Sequence, residues 1–275
     1  MNIFTLKLIL APVLIGMVSL VGRRWGPFVS GWLTGLPITS GPIVLFLALD
    51  HDPAFAAAAS LGILSGTLSQ ALVCLAYGRL CGRLRWPMTL ASSVAVFAVS
   101  TAVLNVFRPP VEWIFCLTVF GLAVIYRAMP AAANIVVRTK PLPAWDIPAR
   151  MIVATLFVVG LTEAAEHLWP HLTGLLSPFP LYVLILAVFS QHFDGPPAVI
   201  RVLKGMVQGL FSFALFFLIV AKLIEQAGIG PTLLLAVAAA LALQGGVAWM
   251  RRRVGKRRTE DGGRNASDPA EVKKQ

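Results

Sequence analysis

Acidic residues are scarce in this chain: 12 of 275 are Asp or Glu, against 23 Lys and Arg, and charged residues make up only 13% of the whole. Ordinary soluble domains carry roughly 25%, so the composition argues against a water-facing globular surface. Cysteine is also sparse. Cys74, Cys81 and Cys116 are odd in number, lie in or just beyond apolar blocks and lack metal-ligand spacing, which argues against a disulfide framework. The phosphate-cradling Walker loop, the Gly-rich nucleotide turn, the nucleophile elbow and the kinase signatures are missing, which argues against an ATP-driven pump or a familiar hydrolase. The expectation is a protein that is not an enzyme and uses no cofactor or metal.

Hydrocarbon is what the sequence has in abundance. Hydrophobic residues reach 57% and the mean hydropathy is +0.81. A bilayer core needs about 20 mostly apolar residues per helix, and blocks of that size recur at 5–22, 28–50, 54–78, 87–107, 110–127, 150–167, 172–193, 197–222 and 229–250. The expected fold is all-α, a polytopic transmembrane bundle of nine spans whose main partner is the lipid bilayer. Lys7 precedes the first block, but Arg23 and Arg24 follow it where a small-residue cleavage site would stand. That block reads as an uncleaved span rather than a signal peptide.

The net charge of +11 would suggest nucleic acid for a soluble protein, but nine of the 23 basic residues lie between Arg251 and Lys274 and the rest cluster between apolar blocks. This is the cytoplasmic charge bias of membrane proteins, and no nucleic-acid partner is expected. The clusters Arg251-Arg252-Arg253 and Lys256-Arg257-Arg258 place the C-terminus in the cytoplasm, so nine spans place the N-terminus in the periplasm. The other charges agree: eleven fall in cytoplasmic connections, among them Arg79, Arg127 and Arg201, against Lys7, Arg108 and Lys222 outside. The expected location is a bacterial inner membrane. Residues 1–127 form a first unit with an extra span, 128–149 a Pro-rich cytoplasmic linker, 150–250 a second unit, and 251–275 a basic, irregular tail.

The two units match each other at a shift of 143 residues. Pro27 meets Pro170, Gly31 meets Gly174, Pro37 meets Pro180, Pro53 meets Pro196, Gly62 meets Gly205 and Gly66 meets Gly209. Six matched Pro and Gly positions in one register point to duplication. Five spans precede the second copy, so it would cross the bilayer in the opposite sense, giving two inverted-topology repeats with a site at the interface of broken helices. Pro37 and Pro42 would break the second span, and Pro178 and Pro180 the seventh. Such breaks line a polar site or are simple kinks in an apolar bundle. Gly62-x-x-x-Gly66 and Gly205-x-x-x-Gly209 would let the third and eighth spans pack closely through small residues.

Four polar residues, Arg201, Lys204, Gln208 and Ser212, share one face of the eighth span. They could bind an anionic group, or the two cations could snorkel to lipid phosphates. Thr39, Ser40 and Ser177 add hydroxyl groups at the breaks; Ser65, Ser69 and Gln70 add more on the third span, where they mostly bond their own backbone. Glu163, Glu166, His167 and His171 lack a metal-ligand spacing and read as a solvated loop. Asp50-His51-Asp52 and His192 with Asp194 fall in short turns, where polar residues are expected.

At Ser177-Pro178-Phe179-Pro180-Leu181-Tyr182 and Lys204-Gly205-Met206-Val207-Gln208-Gly209 the sequence resembles the GlpM family of small bacterial inner-membrane proteins. Gly35-Leu36-Pro37-Ile38-Thr39-Ser40-Gly41-Pro42 looks like a more diverged copy. The resemblance covers about 50 residues in each half, and it implies a fused antiparallel pair but carries over no catalytic residue. Together these features lead to the expectation of a secondary transporter or flippase-like permease for a small anionic or amphipathic substrate. The alternative is a non-transporting accessory subunit with a partner in a membrane complex for envelope or polysaccharide biosynthesis.

Overall fold

A computed structural model describes residues 3–37, 40–50, 53–106, 110–131, 145–153, 155–156 and 179–266. Among these residues the chain forms α1 (Ile3–Trp25), α2 (Pro27–Thr34), α3 (Ser40–Asp50), α4 (Pro53–Leu80), α5 (Trp86–Val106), α6 (Val111–Ala128), α7 (Leu181–Phe193), α8 (Pro196–Ala227) and α9 (Ile229–Ala266). It is an all-helical membrane bundle. Among the described residues, five stretches are long and apolar enough to span a bilayer: Pro53–Leu80, Trp86–Leu104, Val111–Ala128, Pro196–Ala227 and Ile229–Val247. The expected second span is divided into α2 and α3, and α7 is a shorter apolar helix of 13 residues. The expected sixth span falls largely outside the described residues.

Proline and glycine set the helix boundaries. Pro27 and Pro196 open α2 and α8, where the first N–H has no intrahelical partner and its loss is harmless. Gly195 (φ 81°) and Gly228 (φ 80°) turn the chain into and out of α8, a backbone region that side chains resist.

Helices α4 and α8 form the centre. Their apolar windows are 56% buried, against 17–22% for α5, α6 and α9. Tyr77, Leu64, Leu203, Leu210, Phe216 and Phe217 are fully buried among them. The outer helices direct Val99, Trp113, Phe120 and Leu234 outward, a surface suited to lipid.

Contacts fix the helix directions. Gly78, near the end of α4, faces Leu203, near the start of α8. Arg79 donates to the Ala128 carbonyl at the end of α6, while Thr118 in α6 reaches the Leu64 carbonyl in α4. Lys222, near the end of α8, pairs with Glu112 at the start of α6. So α4 and α6 are parallel, and α8 runs against both. The helix starts also correspond: Pro53 and Pro196 stand 143 residues apart, as do Trp86 and Ile229. In each pair the second helix folds back on the first.

These directions collect the basic residues at one end, with Arg79, Arg127 and Arg201 beside the Arg23 end of α1. Three expectations need correction. The linker assigned to 128–149 ends in helix rather than running to 149: a helix that continues through 153 begins at residue 146, with Asp146 buried. An i,i+4 ion pair to Arg150 supports this turn. The tail from Arg251, expected to be irregular, continues α9 to Ala266, because Arg and Lys are good helix formers and cations suit a helix C-terminus. Finally, the glycine face of α8 does not meet α4.

Candidate functional site

That glycine face meets α2. A Cβ on Gly31 would strike the Val202 backbone, and one on Gly205 would strike the Phe28 carbonyl. Where α2 ends, a Cβ on Gly35 would stand 2.6 Å from the Gly209 Cα. Only backbones without side chains approach this closely. Gly62, on α4, has nothing within 4 Å of its Cβ position, so it supplies no matching groove.

The chain leaves the helical path after Thr34. The Leu36 N–H bonds the Leu33 carbonyl at 3.1 Å and the Gly41 N–H bonds the Pro37 carbonyl at 2.8 Å. Pro37 lies within the break, Ser40 opens α3, and Pro42 falls in the first turn of α3 rather than in the break. Thr39 lies outside the described residues, as do Ser177 and Pro178. Pro180 is the buried residue preceding α7.

Beyond Gly209, where α2 has ended, α8 stays buried among the other described helices, but the packing is not complete. A cavity of about 390 Å³ opens there, lined by Leu36, Pro37, Gly41, Leu45, Phe216 and, from α9, Leu233, Val237, Ala240 and Leu241. Every lining side chain is apolar, so its natural content is hydrocarbon rather than an ion.

The polar stripe lies on α8 itself. Arg201, Lys204 and Gln208 are half-buried and Ser212 is buried. The Gln208 Oε1 is buried without a hydrogen-bond partner, an open acceptor that costs free energy where it stands. One further turn along the helix from Ser212 comes Phe216, in the cavity wall. At 1.5 Å per residue, Lys204 and Phe216 are about 18 Å apart along the axis. Ser65 bonds back to the Leu61 carbonyl as expected of a helical serine, whereas the Ser69 Oγ is buried without a partner.

Two polar clusters escaped the sequence reading. Asp146 accepts from Arg23 at 3.1 Å and from the Arg150 Nε at 3.0 Å, and the Arg150 guanidinium lies 4.9 Å from the Phe189 ring centre. The Asp146-x-x-x-Arg150 spacing was its only local signal. Gln191 accepts from the Tyr77 hydroxyl at 2.8 Å and donates to the Cys81 and Leu84 carbonyls at 3.0 Å. Nothing in the sequence pairs positions so far apart. Nearby, burial raises the Asp194 pKa above the usual carboxylate value, and Arg150 offsets this only partly.

His51 and Asp52 lie outside the described residues, and so do Glu163, Glu166, His167 and His171. No protein-family model matches the chain, no curated protein is similar to it, and no solved structure matches its fold.

Proposed function

We propose that the protein is an inner-membrane secondary transporter or flippase-like permease built from two inverted repeats, and that its substrate is an anionic amphiphile. The observation that carries this reading is the row of residues along α8, Arg201, Lys204, Gln208 and Ser212, followed one turn on by Phe216 in the wall of the apolar cavity. A charged head would rest on the cations and the Gln208 amide. Its chain would extend toward the cavity that the α2–α3 break leaves open. The cavity volume lies in the ordinary range for ligand sites, about 300–1,000 Å³.

Three further observations support the repeat. The corresponding helices α4 and α8 run in opposite directions, both helix pairs start at the same offset, and the expected second span is interrupted between α2 and α3. Discontinuous helices at a repeat interface are a common site architecture in secondary transporters. The Pro and Gly placements of the GlpM-like resemblance fit this reading. The charge bias makes the end with Arg79, Arg127 and Arg201 the cytoplasmic one, and α1 then starts in the periplasm.

The test is proteoliposomes containing a headgroup-labelled anionic phospholipid and, separately, a labelled zwitterionic one. Added dithionite bleaches the label in the outer leaflet. Transport is expected to let it bleach both leaflets for the anionic lipid, and Lys204→Met to slow this. Bleaching at the protein-free level with both lipids would favour the accessory-subunit reading, in which the cavity holds structural lipid.

A further inference from the structure

We propose that the basic end of the bundle is a gate, held shut by two polar clasps that close on the last turn of α7, and that their release opens a water path to Cys81. This goes beyond the transport reading and rests on it.

The first clasp is the Gln191 amide. Its oxygen accepts from Tyr77, and its nitrogen serves the Cys81 and Leu84 carbonyls. Those carbonyls belong to the turn that follows α4, beyond the helix's own hydrogen-bond ladder. One side chain therefore ties the tip of α7 to the α4–α5 turn.

The second clasp grips the same turn from α1 and the 146–153 helix. Asp146 joins Arg23 to Arg150, Arg150 covers Phe189, and Trp145 stands edge-on to Phe193 at 5.6 Å. Asp146 and Arg150 are 1% and 5% exposed, so neither charge is satisfied by water. Buried, directional bonds of this kind make or break as a unit.

At the opposite end, the ion pair between Lys222 and Glu112 is 44% and 59% exposed. Exposed pairs hold weakly. Among the described residues, then, the buried latch lies at the basic end, as in a transporter closed to that side. Gly195, with φ 81°, adjoins the clasped turn and supplies the hinge between α7 and α8.

Cys81 reports on this gate. It is 3% exposed and lies beneath the first clasp, and Cys74 is fully buried two turns deeper in α4. The experiment uses two full-length proteins, one keeping Cys81 alone and one keeping Cys74 alone, the other cysteines replaced by Ser. Both are labelled with a membrane-impermeant maleimide in inside-out vesicles. Gln191→Leu removes the first clasp. Asp146→Asn with Arg150→Gln removes the second without leaving a buried charge. In the combined variant Cys81 should label about tenfold faster or more, given what buried hydrogen bonds contribute, and Cys74 should stay protected.

Unchanged Cys81 labelling in the combined variant would overturn the proposal, as would fast labelling before any substitution. Joint exposure of Cys74 and Cys81 would also overturn it, because the clasps would then hold the fold together rather than a gate. Labelling needs no substrate. A negative result here beside successful lipid movement would remove the gate alone, and the reverse would remove the transport reading alone.

Discussion

Gly35 and Gly209 meet backbone to backbone where α2 ends on α8, and the Met206 carbonyl stands 2.8 Å from the position a Gly35 Cβ would take. The atoms in the way are main chain, so no rotamer change relieves the crowding. Gly35→Ala and Gly209→Ala should each cost roughly 1–3 kcal/mol, the usual penalty for overpacking. Gly62→Ala should be neutral or slightly stabilising, since its Cβ site is open and Ala is favoured over Gly in a helix by about 0.5–1 kcal/mol. Thermal unfolding in detergent compares the three. Equal losses at Gly62 and Gly209 would show that the α2–α8 contact does not set the packing.

How far the sequence reaches is visible at these same residues. The helical class and the interruption near Pro37 follow from composition and from that proline, because apolar length and backbone restriction are local properties, although Pro42, expected in the same break, sits in the first turn of α3. The small-residue face at Gly205 and Gly209 could also be read. Its partner could not, since a glycine face tells how close a neighbour comes and not which neighbour it is. The duplicated pattern suggested α4, while α2 took the place. The Gln191 clasp was illegible for a related reason: its hydroxyl and carbonyl partners lie in an element more than a hundred residues away, and a lone glutamine near a turn looks like a solvated one. Asp146 was concealed by its Pro-rich surroundings, which read as linker.

Asp146 should be unusually sensitive to neutralisation. It is 1% exposed and holds both Arg23 and Arg150. Asp146→Asn would leave Arg150 buried beside an uncharged amide, and breaking a buried pair this way costs about 3–5 kcal/mol. Replacing both, Asp146→Leu with Arg150→Met, should cost much less, because apolar residues of similar volume often substitute for a buried pair. The comparison requires unfolding midpoints for the single and double variants. A double variant as unstable as the single one would mean that Arg23 or the Phe189 contact carries the stabilisation.

Asp194 gives the region a pH dependence whose sign can be worked out. It sits in the turn between α7 and α8, outside the spanning helices, and burial raises its pKa while Arg150 opposes the shift only in part. Between the ordinary Asp value of about 3.9 and the raised one, the folded protein keeps a proton that the unfolded chain has released. More protons bound in the folded state means that stability falls as pH rises through this window. The contribution is present at acidic pH and is lost above the folded pKa. Asp194→Asn mimics the protonated form, so it should raise the unfolding midpoint at neutral pH and lose that advantage as pH falls through the window. The measurement is the midpoint difference between wild type and variant across the acid range. A difference that stayed constant would show that attraction to Arg150 balances burial, and a variant less stable at neutral pH would show that the attraction wins and that the Asp194 carboxylate belongs to the Asp146 ion cluster.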